Sequence, residues 1–269
     1  MHPVLFQIGS LVVPSYGVAA AVGVLLALGL AQRTARLAGL DPRHAWNVLM
    51  LGVFSALVAS RLLLILMNLS DLRTHPRWLL AVAMVHHPLL TAAGMAGAGI
   101  SAVVYIGWAR LPWRLVADAL AGPVSLGMAA EQVGALLAGS DFGTETRVPW
   151  AVTYSSELAA RWSGTPLGVA LHPVQAYAAL GWLTVAALAL VLLASRGSER
   201  RTGDVAGVWL MANGVLLFLT EMFRDWEGRG VLFGYRLDAP QLVALGMVLV
   251  GGFVLLDLRR SELGKATHV

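Results

Sequence analysis

Seven apolar runs, each near the ~20 residues that a helix needs to cross a bilayer's hydrocarbon core, constrain this chain more than anything else in it. They fall at about 15–32, 45–67, 89–108, 115–138, 172–194, 204–223 and 239–257. Lipid offers a peptide group no hydrogen-bonding partner, so each run must satisfy its own backbone as a helix. The expected architecture is therefore all-α: a polytopic integral membrane protein of about seven transmembrane helices in a single domain. With 58% hydrophobic residues, 13% charged residues and a mean hydropathy of +0.72, the chain is too apolar for an ordinary soluble domain. Its 29 glycines suit close helix packing in lipid.

The charge and cysteine counts exclude several function classes. The formal +4 comes from Lys and Arg in short loops between apolar runs, which is a topology signal and not a nucleic-acid footprint. The chain has no cysteine, so disulfides, thiolate catalysis and Cys-ligated metal are out. No metal site and no cofactor are expected. Residues 1–14 suit an interfacial arm, and the N-terminus lacks the basic start of a cleavable signal peptide. Residues 78–87 form an apolar piece too short to cross, which fits a re-entrant or interfacial helix. No internal repeat or linker is evident.

Basic residues set the expected orientation. With the N-terminus outside, the inner loops hold eleven (Arg33, Arg36, Arg43, Arg110, Arg114, Arg196, Arg200, Arg201, Arg259, Arg260, Lys265). The outer loops hold seven (Arg73, Arg77, Arg147, Arg161, Arg224, Arg229, Arg236) and carry acids as well. N-out, C-in follows.

That orientation gives depth to the polar residues. Arg61 lies ~24 Å along the second span at 1.5 Å per residue, in its outer half. Glu131 and Gln132 lie in the outer half of the fourth span. The sixth ends outside with Glu221 and Arg224, and the fifth begins outside with His172, Gln175 and Tyr177. Four spans thus bring polar groups to one outer-leaflet depth, where such groups face a bundle interior or a wet cavity. The stretch 127–154 joins this set. It begins as membrane helix, breaks at a turn from Gly139 through Asp141 to Gly143, and opens the longest connection, 139–171. Such a loop is expected to be functional, with Gly139 and Gly143 supplying φ > 0 and close ligand approach.

Each residue also admits a plainer structural role. Arg61 can pair with Glu131 or Glu221 or snorkel, and Arg224 can anchor a helix end. His172, before Pro173, can be an N-cap. The turn after Gly139 can be an Asx-type loop, residues 94–99 a small-residue packing face, and Asp118 a capping or interfacial group.

The order and spacing of several motifs resemble the bacterial prolipoprotein diacylglyceryl transferases over nearly the whole chain. They are Pro14-Ser15-Tyr16-Gly17 opening the first span, Gly52 to Arg61, the small-residue run at 93–101, Gly134 with the Gly139–Gly143 turn, and Leu171-His172-Pro173-Val174-Gln175-Ala176-Tyr177. Thr220 to Arg224 and Pro240-Gln241-Leu242 complete the set. The resemblance implies transfer of diacylglyceryl from phosphatidylglycerol to the lipobox cysteine thiol of a preprolipoprotein, forming a thioether and releasing glycerol phosphate. It implies a bacterial inner-membrane protein whose site faces the outer leaflet. Arg61 and Arg224 match family arginines suited to phosphate, with Tyr16, His172, Gln175 and Tyr177 orienting the lipid headgroup. Gln132, Gly139, Asp141, Gly143, Glu221 and Gln241 complete the expected substrate-binding set.

The chain also departs from the family pattern. Gln132 stands where the signature has Arg, Ala135 and Ala138 where it has Asn, Ala178 where it has an acid, and the third-span histidine falls near Met95 to Gly97, which carry none. The resemblance then leaves proton handling to His172 or Glu131. It also leaves two other readings: a non-catalytic relative that binds phospholipid or signal segments, or a transferase with another lipid donor or acceptor. Topology is directly testable: tags at residue 112 and at the C-terminus are expected to report cytoplasm, and a tag near 160 the outer face. A protected 160 loop overturns the orientation.

Overall fold

The computed structural model describes residues 2–9, 11–69, 88–195, 201–225, 231–232 and 237–266. The expected short helix at 78–87 lies outside them. Seven of the described helices are long and apolar enough to cross a membrane, as the hydropathy pattern requires: α1 (Ser15–Ala38), α2 (Pro42–Met67), α3 (Pro88–Trp108), α4 (Trp113–Ala138), α6 (Val174–Ala194), α7 (Asp204–Glu221) and α8 (Ala239–Ala266). An eighth, α5 (Glu157–Ser163), is short. Three two-stranded antiparallel ribbons are added to the helices: β1 (Val4–Ile8) with β2 (Leu11–Pro14), β3 (Val152–Thr153) with β4 (Ala170–Leu171), and β5 (Val231–Leu232) with β6 (Leu237–Asp238). The N-terminal arm is thus a hairpin, closed where the Ser15 N–H reaches the Pro3 carbonyl at 2.9 Å and the Ser15 hydroxyl that of His2.

The chain forms two compact units, residues 1–42 with 113–269, and residues 43–112. In the first, α1 packs along α4, α4 along α6, and α7 along α8. Small residues permit this. A Cβ on Gly134 would lie 2.7 Å from the Ala19 Cβ and 3.2 Å from the Tyr16 carbonyl oxygen, so only glycine lets α4 approach the start of α1. Outward faces are apolar and bare: Leu249 and Phe253 on α8 are 73% and 70% exposed, which fits lipid and not water as their solvent. In the second unit, α2 and α3 meet in the same way. A Cβ on Gly97 would lie 2.7 Å from that of Ala59 and 2.8 Å from the Ser55 carbonyl oxygen. The small-residue run is therefore a packing face at Gly94 and Gly97, while Gly99 has nothing within 4 Å.

Helix ends in a membrane protein still need partners, and these are supplied by side chains and turns. α1 stops at Gly39 in the left-handed region (φ 82°), where the Gly39 and Leu40 N–H groups turn back to the carbonyls of Arg36 and Ala35. This is the reverse turn a glycine stop favours. α8 begins with a reciprocal cap: Asp238 Oδ1 accepts the Gln241 N–H at 2.7 Å, and Gln241 Oε1 accepts the Asp238 N–H at 3.2 Å, the arrangement of a capping box. Asp118, on α4, is 3% exposed and accepts the N–H groups of Gly203 and Ala206 at 2.7 and 2.8 Å. It caps α7 from a neighbouring helix and places a carboxylate at its positive end. Asp118→Ala is expected to cost about 1–2 kcal/mol and to lower the melting midpoint in detergent. Asp118→Asn, which keeps one acceptor oxygen, should recover part of the loss.

Candidate functional site

After α4 ends at Ala138, the chain does not wander. Gly139 takes a left-handed φ of 83° and Asp141 one of 54°, a conformation that costs a non-glycine residue about 1–2 kcal/mol and therefore needs support from its surroundings. Residues 142–146 then lie between two other segments. On one side, the Thr144 N–H reaches the Phe223 carbonyl at 2.9 Å and the Asp225 N–H that of Phe142 at 3.3 Å. On the other, the His172 N–H reaches the Thr144 carbonyl at 3.0 Å and the Thr146 N–H that of Ala170 at 2.9 Å. This three-way ladder ties the C-terminal ends of α4 and α7 to the N-terminal end of α6. Gly143 sits at its centre with an ordinary φ, so the expectation of a left-handed turn there is corrected. The residue is glycine because a Cβ would fall 2.5 Å from the His172 carbonyl oxygen and 2.6 Å from Val174 Cγ2.

Below the ladder the loop is pinned by buried polar groups. Gln175 is fully buried, and its Nε2 donates to the Ser140 carbonyl at 2.6 Å and to the Tyr154 hydroxyl at 3.3 Å. The Thr165 hydroxyl lies 2.7 Å from the Gly139 carbonyl oxygen and 3.1 Å from that of Ala159. Burial pushes the Tyr154 phenol up to about 12, against the smaller downward pull of the Gln175 hydrogen bond.

Arg224 is held in this frame. It follows α7 directly and is 8% exposed. Its Nε lies 2.9 Å from Glu221 Oε1, an ion pair without the alignment of a regular hydrogen bond. Its Nη1 donates to the Asp141 carbonyl at 3.3 Å and lies 3.5 Å from Asp141 Oδ1. A guanidinium this buried is tolerable only with such partners. They also fix the direction of its planar fork.

Two further constellations complete the site. The Tyr16 hydroxyl donates to Glu131 Oε1 at 2.8 Å, and Gln132 Nε2 donates to Glu131 Oε2 at 2.7 Å. Beside Arg224, the ring of Phe223 lies 5.1 Å from that of His172, and Tyr177 lies about 6 Å from both. The Trp150 N–H donates to the Tyr177 hydroxyl at 2.7 Å, and His172 Nδ1 is 3.3 Å from that hydroxyl.

Of the residues expected from sequence, Arg224, Glu221 and Asp141 form one ion-paired group, Tyr16, Glu131 and Gln132 a hydrogen-bonded one, and His172 and Tyr177 pack with Phe223. Others have structural partners: Gly139, Gly143 and Gln175 build the loop, and Gln241 caps α8. His172 does not cap α6, since Pro173 occupies that position. Arg61 lies on α2, in the second unit. Trp150, Tyr154 and Thr165 were missed as site-building residues. The sequence signal nearest to them was the long connection at 139–171, which contains all three.

A bundle of apolar helices whose ends gather buried, hydrogen-bonded ionisable groups defines a multi-pass membrane protein with a polar site built into it. The chain belongs to the prolipoprotein diacylglyceryl transferase family, whose model matches residues 3–256. It is similar to proteins named phosphatidylglycerol–prolipoprotein diacylglyceryl transferase from Clostridium tetani (25% identity, 94% of this chain and 96% of the relative), Pseudoalteromonas translucida (30%, 100% and 97%) and Coxiella burnetii (29%, 95% and 94%). The packing at Gly143 sets a test. Gly143→Val should reduce both the detergent stability and the activity of the protein, because the new side chain must push His172 and Val174 aside. Full activity at normal stability would show the ladder to be dispensable.

Proposed function

We propose that this chain transfers the diacylglyceryl group of phosphatidylglycerol to the lipobox cysteine of preprolipoproteins, forming a thioether and releasing glycerol phosphate. It does so as a bacterial inner-membrane enzyme, N-out and C-in, with its site toward the outer leaflet. The observation that carries this reading is Arg224, buried and aimed by Glu221 and Asp141, in a chain of this family.

The reaction asks for two things that the first unit supplies. As the glycerol C–O bond breaks, negative charge gathers on the phosphate. A guanidinium fork already fixed in a partly dry site stabilises that charge without reorganising. The thiol must also lose its proton to attack, which requires an acceptor nearby. Tyr177 and His172 pack on Phe223, the residue before Arg224, and would orient a headgroup's hydroxyls. The family resemblance gives Arg61 a phosphate role as well.

A second reading rests on one observation. Gln132 occupies the signature's arginine position and brings an uncharged amide, engaged with Glu131, where that pattern brings a cation. A different lipid donor, or binding without transfer, is consistent with that substitution. Transfer to a lipobox peptide, in membranes matched for protein level, separates the readings. Arg224→Ala is expected to lower turnover roughly 100-fold, about 3 kcal/mol, by analogy with losing one preorganised donor. Arg224→Lys, which keeps charge without the fork, should recover only part. Arg61→Ala is expected to lower turnover too. Near-normal turnover in both alanine variants would make these arginines anchors.

A further inference from the structure

We propose that Glu131 is the group that takes the proton from the acceptor cysteine, with Tyr16 and Gln132 as its positioning residues. This rests on the transfer reaction proposed above and adds its base. The Tyr16 hydroxyl donates to one carboxylate oxygen at 2.8 Å and the Gln132 amide to the other at 2.7 Å. Both partners come as donors, so Glu131 serves as acceptor on each side, and each oxygen keeps a second lone pair for an incoming proton. The residue is half-buried, so it is held but still reachable.

Gln132 shows that this arrangement is built. Its Nε2 faces the Glu131 carboxyl at 2.7 Å. In the observed orientation, its Oε1 is buried and accepts nothing. The amide is oriented for the carboxylate at the expense of its own acceptor.

Other ionisable side chains among the described residues have partners of their own. Glu221 and Asp141 are engaged by Arg224. The Tyr177 oxygen takes the Trp150 N–H, and an indole can only donate. His172 Nδ1 lies 3.3 Å from the same hydroxyl, so that ring nitrogen is engaged with Tyr177. The His172 ring is held by that contact and by the Phe223 ring 5.1 Å away.

The step balances without a further reactant. Glu131 accepts the S–H proton. The sulfur electron pair forms a C–S bond to the glycerol carbon bearing the phosphoester. The C–O bond to that phosphoester breaks, and its electron pair leaves on glycerol phosphate. The proton stays on Glu131 until it is lost to water.

The test uses the full chain in phosphatidylglycerol-containing vesicles and two lipobox peptides that differ only in bearing cysteine or selenocysteine. The selenol is already ionised at neutral pH and needs no base. Glu131→Gln is expected to lower turnover on the thiol peptide about 100-fold, as loss of a general base does, and on the selenol peptide less than about fivefold. Glu131→Asp should fall between wild type and Glu131→Gln on the thiol. Retained selenol transfer by Glu131→Gln also shows that the variant folds. Equal losses on both peptides, or none on either, overturn the assignment while wild type remains active. A wild-type chain that transfers to neither peptide overturns the transfer reading and this assignment with it.

Discussion

The buried guanidinium of Arg224 is the interaction on which the rest of the first unit's site depends. A charge removed from water must find opposite charge and hydrogen-bonding partners at close range, and leaving it unmatched costs several kcal/mol. Glu221 supplies one partner from the helix Arg224 follows, and Asp141 another from a loop more than eighty residues earlier. To bring Asp141 there, the chain adopts a left-handed backbone at a non-glycine residue. It then runs straight into the ladder that joins the ends of α4, α6 and α7. The ion pairs and the ladder support each other: neither segment could hold its place beside the arginine without the backbone hydrogen bonds that span them.

Helix packing makes that geometry possible. Hydrocarbon provides no hydrophobic drive between helices, so close approach through small residues does the work. Gly134 lets α4 lie against the first turn of α1, and the same approach brings Tyr16 to Glu131. The glycine and the hydrogen bond are thus two parts of one contact, with the packing residue three positions beyond the carboxylate it serves. Polar residues away from the site secure helix ends. Asp118 reaches across to cap α7, and Asp238 with Gln241 closes the start of α8. In an apolar bundle, these are the places where unmet backbone groups would cost most.

Much of the fold was legible in the residues because the bilayer imposes a length and a composition on every crossing segment. Seven apolar runs became seven long helices, most with boundaries displaced by a few residues, while α8 runs on to Ala266. α1 runs on through Arg33 and Arg36 to Gly39, since charged residues at a helix end are as helical as apolar ones. The N-terminal arm was visible as a separate piece, but its hairpin was not. Pairing between residues such as Gln7 and Val12 leaves no period in so short a segment.

At the site, sequence by itself determined which ionisable and amide side chains are retained in apolar runs, among them Glu131, Gln132, Glu221 and Arg224. It did so because such residues are too costly in hydrocarbon to occur without partners or purpose. Only the tertiary structure decided what each partner is. Gln175 and Gln241 looked like Gln132 as isolated amides, yet one holds a loop carbonyl, one closes a helix cap and one steadies a carboxylate. Gly143 looked like a turn residue and is a point of contact with His172. Hydrogen bonds are made at about 3 Å between segments tens of residues apart, and that pairing exists only once the helices have packed.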